Sequence, residues 1–572
     1  MARFSKVDDA TRNPSRARRE EAPHGVHDFR QAIQNFDWSV ASEDFTMSCR
    51  RFLNTSQAAG ISIPTRKQML LTHPTASEFH RAVLSANPQG GPGRYSTSVL
   101  RIRIVLALLV GLALGRATAH QVVQADEPSL PKTSAELFEL TKIWNIELTF
   151  SPEQFAAMEP KQNSSGRRFG GIGRAGTGGS FLQGALGKRN GIASAMGVEF
   201  EYVHGELEFE GVPIYDVAVR YKGNGTFLEA RGIFKRSFKI DLNDFVSDQK
   251  LAGQSQLNLH NGVTDPTLMN EVLAHRLYRD AGVPAPRTAY AKVYVNVIGK
   301  HDHRYFGLYS VVEDIGGEYL RRQYGENRGA LFKPVLPSLF DDLGDDWNVY
   351  LQAYDPKGKI SVDDQNRVIE FSRLVTKGED AEFARRLPEF VDLDSFARYM
   401  AVTTWLADMD GILGPGQNYY LHLGSNDRKF SFIAWDQDHS FGQFGMRGTP
   451  EQRENLSIDH PWQGGNRFLD RVYAIPEFQK LYREYFKKFS ETIFEPTRLA
   501  KQVDELAKVI RPAIEEESKA KLARFESAVE GKPISTGGFF GQKLKPIKPF
   551  AEVRTKSVTE QLEGVSQGKR LD

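Results

Sequence analysis

Alternation of apolar and polar residues predicts β-strands in several parts of the chain. It is regular at residues 146–150 and through much of the segment 198–242. In the second segment, Lys239 lies on the polar side of a strand whose opposite side is apolar. A lysine there is ordinarily solvated, so it gains a role only if that side lines a cleft. Two further apolar runs, 291–297 and 305–312, predict a hairpin.

Helical spacing of apolar residues predicts three main helices. The first begins at Asp265, an N-cap residue that is followed by proline, and it ends at Gly282. The second covers residues 393–406, and the third is the long, charged stretch 497–529. A strand at 430–435 lies between the second and third helices.

A short apolar run near residue 110 has the composition of a targeting signal. Twelve apolar or small residues, 104–115, follow Arg101 and Arg103 and precede an Ala-Thr-Ala triplet. This pattern predicts a signal peptide over residues 99–119 with cleavage after Ala119. The run is shorter than the ~20 residues that span a bilayer, and a tilted membrane anchor and a buried core helix are the alternatives.

The segment before this signal differs from the rest of the chain. Residues 1–98 are polar, rich in arginine and without sustained periodicity. We expect a disordered extension, or a start site that truly lies near Tyr95 or Val99. Residues 120–136 are expected to form a linker. The chain's single cysteine, Cys49, permits neither an intramolecular disulfide nor a zinc site of paired cysteines.

Composition narrows the range of partners. The chain of 572 residues is 40% apolar and 26% charged, as in ordinary globular proteins. Its formal net charge of +2 gives no electrostatic reason to expect a nucleic-acid partner. A glycine-rich segment, 166–191, lacks the GxxxxGK[ST] pattern of a phosphate-binding loop. We therefore interpret it as a surface insertion.

One segment, 406–442, concentrates residues that suit metal-dependent chemistry. Its acids and amide are Asp408, Asp410, Asn418, Asp436 and Asp438. The last two acids follow the predicted strand at i and i+2, so both can serve one ion. Carboxylate and amide oxygens suit Mg²⁺, Mn²⁺ or Ca²⁺. ATP chemistry with two metal ions needs several separated acids together with an asparagine amide. A solvated acidic turn and a structural calcium site are the alternatives.

Several short motifs in order resemble the CotH kinase family, which is known from bacterial spore-coat and related surface proteins. They are RYKGNG at 220–225, RSFKI at 236–240, MNEVLA at 269–274, GLY at 307–309 with Glu313, GALFK at 329–333, NYYL at 418–421, WDQDHSFG at 435–442 and RTKSVTEQL at 554–562. The resemblance implies a kinase-like domain over residues 137–566. Its fold would be α+β and bilobal, like an atypical protein kinase, with a β-rich N-lobe and a mostly helical C-lobe.

The resemblance also implies site residues. Asp410 would be the catalytic aspartate, Lys239 the lysine on the ATP phosphates and Glu271 its helix partner, so the last two should lie within about 4 Å. The remaining nucleotide-binding residues would be Lys222, Gly223, Asn224, Gly225, Glu313 and Lys333. The metal ligands would be Asn418, Asp436 and Asp438. Their spacing leaves open which of the two aspartates is the main metal ligand.

The implied activity is transfer of the ATP γ-phosphoryl group to Ser or Thr of exported or surface proteins, with Mg²⁺ or Mn²⁺ and with Ca²⁺ as a further candidate. The HRD and DFG signatures of ordinary kinases are missing. The alternative is a noncatalytic surface or adhesive protein that keeps the fold and a metal site. We expect a monomer that is secreted, periplasmic or on the cell surface. Membrane contact is expected only through an uncleaved signal segment.

Overall fold

The computed structural model describes several ranges of the chain between residues 130 and 571. The described ranges are 130–160, 198–223, 225–230, 232–325, 328–335, 339–535 and 543–571. The expected N-terminal extension, the signal peptide, Cys49, the glycine-rich segment and Asn224 lie outside them. Within these ranges, none of the helices is long and apolar enough to cross a membrane.

Seven of the described strands close into a barrel with the order β1-β2-β3-β4-β5-β7-β6. Their bounds are β1 Ile143–Phe150, β2 Val203–Phe209, β3 Val212–Lys222, β4 Ser237–Asp241, β5 Gln256–His260, β6 Thr288–Val297 and β7 His301–Glu313. Closure depends on β1, which pairs antiparallel with β2 on one side and parallel with β6 on the other. The predicted hairpin is confirmed as β6 and β7.

The remaining elements are mostly helical. The helices are α1 Ser134–Leu137, α2 Pro152–Ala157, α3 Gly225–Glu229, α4 Asn270–Asp280, α5 Gly317–Tyr324, α6 Trp347–Tyr354, α7 Val362–Lys377, α8 Asp380–Phe390, α9 Leu393–Trp405, α10 Pro450–Glu454, α11 Arg467–Tyr473, α12 Pro476–Ser490, α13 Pro496–Glu517, α14 Lys519–Val529 and α15 Ile547–Leu562. A three-stranded sheet has the order β10-β9-β8, with β8 Ala330–Phe332, β9 Tyr419–Leu423 and β10 Phe430–Ala434. A small pair joins β11 Ile534–Ser535 to β12 Lys543–Leu544. The predicted α+β class is confirmed.

The two largest apolar cores among the described residues hold these parts together. One fills the barrel, where the inward side chains of β4, Phe238 and Ile240, are fully buried. The other is larger and joins most of the helices from α4 onward to the three-stranded sheet, around residues such as Trp405 and Phe468. Burial of this much apolar surface is the main stabilising term for a chain without disulfides.

The first predicted helix begins later than expected. Asp265 is not its N-cap, because the helix starts at Asn270. The Asp265 carboxylate instead accepts hydrogen bonds from the backbone of Thr267 at 2.8 Å and of Asn270 at 2.7 Å. The proline pattern therefore marks a turn that precedes the helix. The predicted end is confirmed, since Gly282 adopts a φ of 73° just after the helix.

The predicted long helix 497–529 is in fact two helices. The break lies at Ser518, whose backbone is extended (φ −174°, ψ 150°). Its side-chain oxygen accepts a hydrogen bond from the backbone N–H of Lys521 at 3.1 Å and so caps the N-terminus of α14. The apolar spacing continues across the break, which is why the pattern did not reveal it.

Candidate functional site

A cavity of about 790 Å³ lies between the barrel and the three-stranded sheet. The barrel contributes residues of β3, β4 and β5 to its wall, and β9 and the end of β10 contribute the opposite side. Five lysines are among the described residues that line it: Lys222, Lys239, Lys333, Lys357 and Lys359. This concentration of positive charge suits a ligand that carries several negative charges.

Lys239 points into this cavity, as a lysine on the polar side of β4 must when that side lines a cleft. Its Nζ lies 2.8 Å from Oδ1 of Asp314, which also accepts a hydrogen bond from Asn258 at 3.0 Å. Burial alone would raise the pKa of Asp314, but Lys239 and Asn258 outweigh it and lower that pKa. The expected ion pair between Lys239 and Glu271 is therefore wrong.

The reason is that β5 lies between β4 and the helix that carries Glu271. His260, the last residue of β5, takes the position facing that glutamate, and its Nδ1 lies 2.9 and 2.8 Å from the two carboxylate oxygens. On the other side of the ring, Nε2 contacts Nζ of Lys222. Burial would raise the pKa of Glu271, but the contacts with His260 hold it below its ordinary value.

Lys222 itself is held by contacts with His260 and Asn258. Besides His260, its ammonium donates to Oδ1 of Asn258 at 3.1 Å, and it lies 5.1 Å from the centre of the Trp435 ring. Removal from water lowers the pKa of Lys222 to about 7, and the nearby carboxylate of Asp436 opposes this shift only in part.

At the other end of the cavity, the predicted acids and amide come together around Asp410. Asn418 donates from its side chain to Oδ2 of Asp410 at 2.8 Å and to its carbonyl at 3.2 Å, and Gln417 reaches Oδ1 at 3.2 Å. Asn418 and Asp436 both line the cavity.

Asp438 is turned toward Thr264, whose hydroxyl donates to its Oδ2 at 2.5 Å. The two aspartates after β10 therefore have different surroundings.

The backbone at this end of the cavity is unusual. Asn418 and Asp436 both adopt left-handed conformations, with φ of 60° and 57°. Such conformations are uncommon in residues other than glycine and concentrate at functional sites. They turn the chain immediately before β9 and immediately after β10.

Three acids in this part of the site, Asp408, Asp410 and Asp438, have raised pKa values. Burial is the leading cause and raises the pKa of Asp410 to about 8 and that of Asp408 to about 6. Burial also raises the pKa of Asp438. Burial would lower the pKa of His439, but the four surrounding aspartates together raise it. Repulsion between acids adds to the effect of burial, and His439 opposes it.

The comparisons with known proteins place the chain in a family. Residues 219–558 match the family model described as CotH kinase protein. The chain belongs to the CotH family. It is 24% identical over 307 residues to inner spore coat protein H of Bacillus subtilis, an overlap that covers 52% of this chain and 78% of the relative. The resemblance seen in the sequence motifs is thus confirmed.

Two fungal relatives from Rhizopus delemar match less of their own length. Spore coat protein homolog 1 is 20% identical over 280 residues, which are 47% of this chain and 43% of that protein. Invasin CotH7 is 20% identical over 269 residues, which are 45% of this chain and 42% of that protein. The chain therefore spans less than half the length of these two relatives.

The structure places the other CotH motif residues as follows. Gly223 and Lys333 line the cavity, whereas Gly225 begins helix α3. The Nζ of Lys333 lies 5.8 Å from the centre of the Trp435 ring, and burial lowers the pKa of this lysine to about 8. Glu313 is fully buried between arginines and is not among the described residues that line the cavity. The next residue along the chain, Asp314, takes that position.

Among the described residues of this CotH chain, two donor sets could hold a metal ion. One is the predicted set, in which Asn418 and Asp436 face the cavity. The other consists of His260, Glu271 and Asp436, whose ligand atoms all lie within 4.8 Å of one another. The first offers only oxygen and suits Mg²⁺, whereas the imidazole of the second suits a transition metal.

Sequence reasoning missed His260, Asn258 and Asp314. A signal for the first two was present, because β5 reads Gln-Leu-Asn-Leu-His and alternates polar with apolar residues. Its polar side faces the cavity, where Gln256 and Asn258 are among the lining residues.

Proposed function

We propose that this CotH-family chain is a protein kinase. It transfers the γ-phosphoryl group of ATP to a Ser or Thr hydroxyl of an exported or surface protein. The observation that carries this proposal is the cavity, which has lysines on the barrel side and Asn418 and Asp436 on the other, with Asp410 hydrogen-bonded to Asn418. Phosphoryl transfer needs these two features close together, since cations bind the phosphates while carboxylates hold metal and accept the proton.

The order of elements supports a kinase-like arrangement of two lobes, with the barrel as N-lobe and the helical part as C-lobe. In protein kinases, the lysine of strand β3 pairs with a glutamate on the helix called αC. Here α4 follows β5, and its Glu271 contacts the last residue of that strand, His260. The kinase lysine position thus corresponds to β5 in this chain. Lys239, which we expected in that role, lies one strand away on β4.

In the proposed reaction, Lys222 and Lys333 bind the phosphates of ATP, and Lys239, which is paired with Asp314, adds its charge to the same cavity. Asn418 and Asp436 fit Mg²⁺ or Mn²⁺, which would neutralise charge on the phosphate oxygens. Asp410 accepts the proton of the acceptor hydroxyl as that oxygen bonds to the γ-phosphorus and the bond to the ADP oxygen breaks. The hydrogen bonds from Asn418 and Gln417 orient Asp410 for this task.

The location outside the cytosol is part of the proposal. One relative is named an inner spore coat protein, which favours a surface or extracellular setting. The expected signal peptide over residues 99–119 would deliver the domain 137–566 there. We propose cleavage after Ala119.

The proposed activity is tested by incubating purified protein with labelled ATP, Mg²⁺ or Mn²⁺ and an extract of exported proteins. Wild type should transfer label, whereas Asp410→Asn and Asp436→Asn should abolish transfer. Asp459→Asn is the matched control, because Asp459 is a largely exposed acid paired with Arg483. Absence of transfer by wild type with either metal would refute the proposal.

A noncatalytic surface or adhesive role is the second candidate, and it is favoured by the relative that is named an invasin. Nucleotide binding separates the two. A kinase should be stabilised by ATP with Mg²⁺, by about 2.7 kcal/mol at a hundredfold excess over Kd. Stabilisation by Ca²⁺ alone, without any response to ATP, would favour the adhesive role.

A further inference from the structure

Three side chains from separate elements form a continuous chain of contacts beside the cavity. Glu271 of α4 contacts His260 of β5 at 2.8 Å, and His260 contacts Lys222 at the end of β3. Glu271 and His260 are buried, with 4% and 9% of their surface exposed. Lys222 reaches its partner across β4, which lies between β3 and β5.

The chemistry of the two end groups defines the proton positions on the imidazole. An ionised carboxylate only accepts hydrogen bonds, so Nδ1 of His260 donates its proton to Glu271. When Lys222 carries its proton it only donates, so Nε2 of His260 then accepts from it. His260 therefore connects the two groups and transmits the orientation of Glu271 to Lys222.

Lys222 and Lys239 differ in the groups that hold them. Lys239 contacts the carboxylate of Asp314 at 2.8 Å, so its charge is already balanced by a direct partner. Lys222 contacts His260 and the amide of Asn258, neither of which is a carboxylate, and these take two of its three N–H groups. Lys222 is thus oriented by these two contacts and keeps one N–H group that can donate to a phosphate oxygen.

We propose that His260 is a positioning residue that holds Lys222 in place to bind a phosphate of the nucleotide. This inference rests on the proposed kinase function and assigns a role to a residue outside the CotH motifs identified in the sequence. In an ordinary kinase, the lysine contacts the glutamate of the helix directly. Here an imidazole lies between the lysine and the glutamate. The lysine comes from this chain's β3, not from β5, the strand that precedes the helix.

The test compares the affinities of the full-length protein for ATP and for adenosine, in the presence of Mg²⁺, by calorimetry. Wild type should prefer ATP. His260→Leu and Lys222→Met should each weaken ATP binding about tenfold or more, because a hydrogen-bonded charge contact is lost or misplaced. Adenosine affinity should not change, since it has no phosphate. Lys292→Met is the control lysine, because Lys292 pairs with Glu516 away from the cavity.

Two rescue variants distinguish positioning from a general structural role. His260→Gln should retain most ATP affinity, since an amide can donate to Glu271 and accept from Lys222. The double variant His260→Lys, Lys222→Met should recover affinity lost in Lys222→Met alone, because a lysine then contacts Glu271 directly. If His260→Leu fails to fold, these two variants and Lys222→Met decide the question.

The outcomes separate the inference from the function on which it rests. If wild type does not prefer ATP to adenosine, both fail. If wild type prefers ATP but His260→Leu keeps full ATP affinity, or weakens adenosine equally, the positioning role alone fails. Tighter Mn²⁺ binding by Lys222→Met than by wild type would also overturn it, because the ammonium would then be occupying a metal site formed with Asp436.

Discussion

Glu517 is buried at the contact between the barrel and the C-terminal end of α13, and its replacement should destabilise the whole domain. Only 5% of its side chain is exposed, and one oxygen accepts hydrogen bonds from Lys235 at 2.8 Å and from the backbone N–H of Leu308 at 2.6 Å. Lys235 is 8% exposed, and burial lowers its pKa to about 8. Glu517→Gln leaves this ammonium buried without a carboxylate.

The expected loss is about 3 kcal/mol of the free energy of unfolding, the lower end for breaking a buried ion pair. The preceding residue provides a matched control. Glu516 pairs with Lys292 at 2.6 Å, but its side chain is 41% exposed and that of Lys292 is 25% exposed. Glu516→Gln should therefore cost less than about 1 kcal/mol.

Denaturant unfolding of the wild type and both variants gives the comparison, with the transition followed by tryptophan fluorescence. The midpoint should fall clearly for Glu517→Gln and hardly at all for Glu516→Gln. Equal losses for the two substitutions would refute the reasoning, because burial would then not determine the cost.

Three further predictions follow from the structure. Because Asp410 must be ionised to accept a proton, kcat/KM should rise with pH and level off above about 8, the raised pKa of this acid, and a flat profile from pH 6 to 9 would contradict its role. Gly307→Ala should lower Tm far more than Gly299→Ala, since both have positive φ but only at Gly307 would the new methyl group meet a carboxylate, at 2.5 Å. Sequencing of exported protein should find a mature N-terminus at His120, and an N-terminus upstream of residue 99 would exclude the expected cleavage.

Local patterns predicted the local elements. Alternation found the strand at 146–150, which the structure extends to Ile143–Phe150, and helical spacing found 393–406, which corresponds to Leu393–Trp405. Gly282 ended the first helix as expected, because a left-handed residue after a helix favours glycine. In each case, the information lies in neighbouring residues.

Nonlocal arrangement was beyond these patterns. Closure of the barrel depends on the parallel pairing of β1 with β6, strands far apart in sequence, so no window of residues contains it. Alternation correctly placed Lys239 on the polar side of its strand, and that side lines the cavity. Alternation does not indicate which strand pairs with it in the sheet. Because β5 intervenes, Glu271 contacts His260 and not Lys239. A single histidine in a short strand gives little indication of such a contact in the sequence.

The candidate site was partly predictable, because several of its residues lie close together in the sequence. Asp410, Asn418 and Asp436 share one compact segment of sequence. The structure places Asn418 and Asp436 in the wall of the cavity, and Asn418 is hydrogen-bonded to Asp410. Asp438 shares that segment too, but its carboxylate is hydrogen-bonded to Thr264, which is distant in sequence. Spacing alone therefore did not separate the two aspartates that follow β10.

The central claim is that the cavity binds ATP and metal for phosphoryl transfer. A crystal structure with a nonhydrolysable ATP analogue and Mn²⁺ tests it most directly. We predict that the phosphates lie against Lys222 and Lys333, with Mn²⁺ bound by Asn418 and Asp436 and the γ-phosphate facing Asp410. A cavity without nucleotide at saturating analogue, or a nucleotide whose phosphates lie away from these lysines, would contradict the claim.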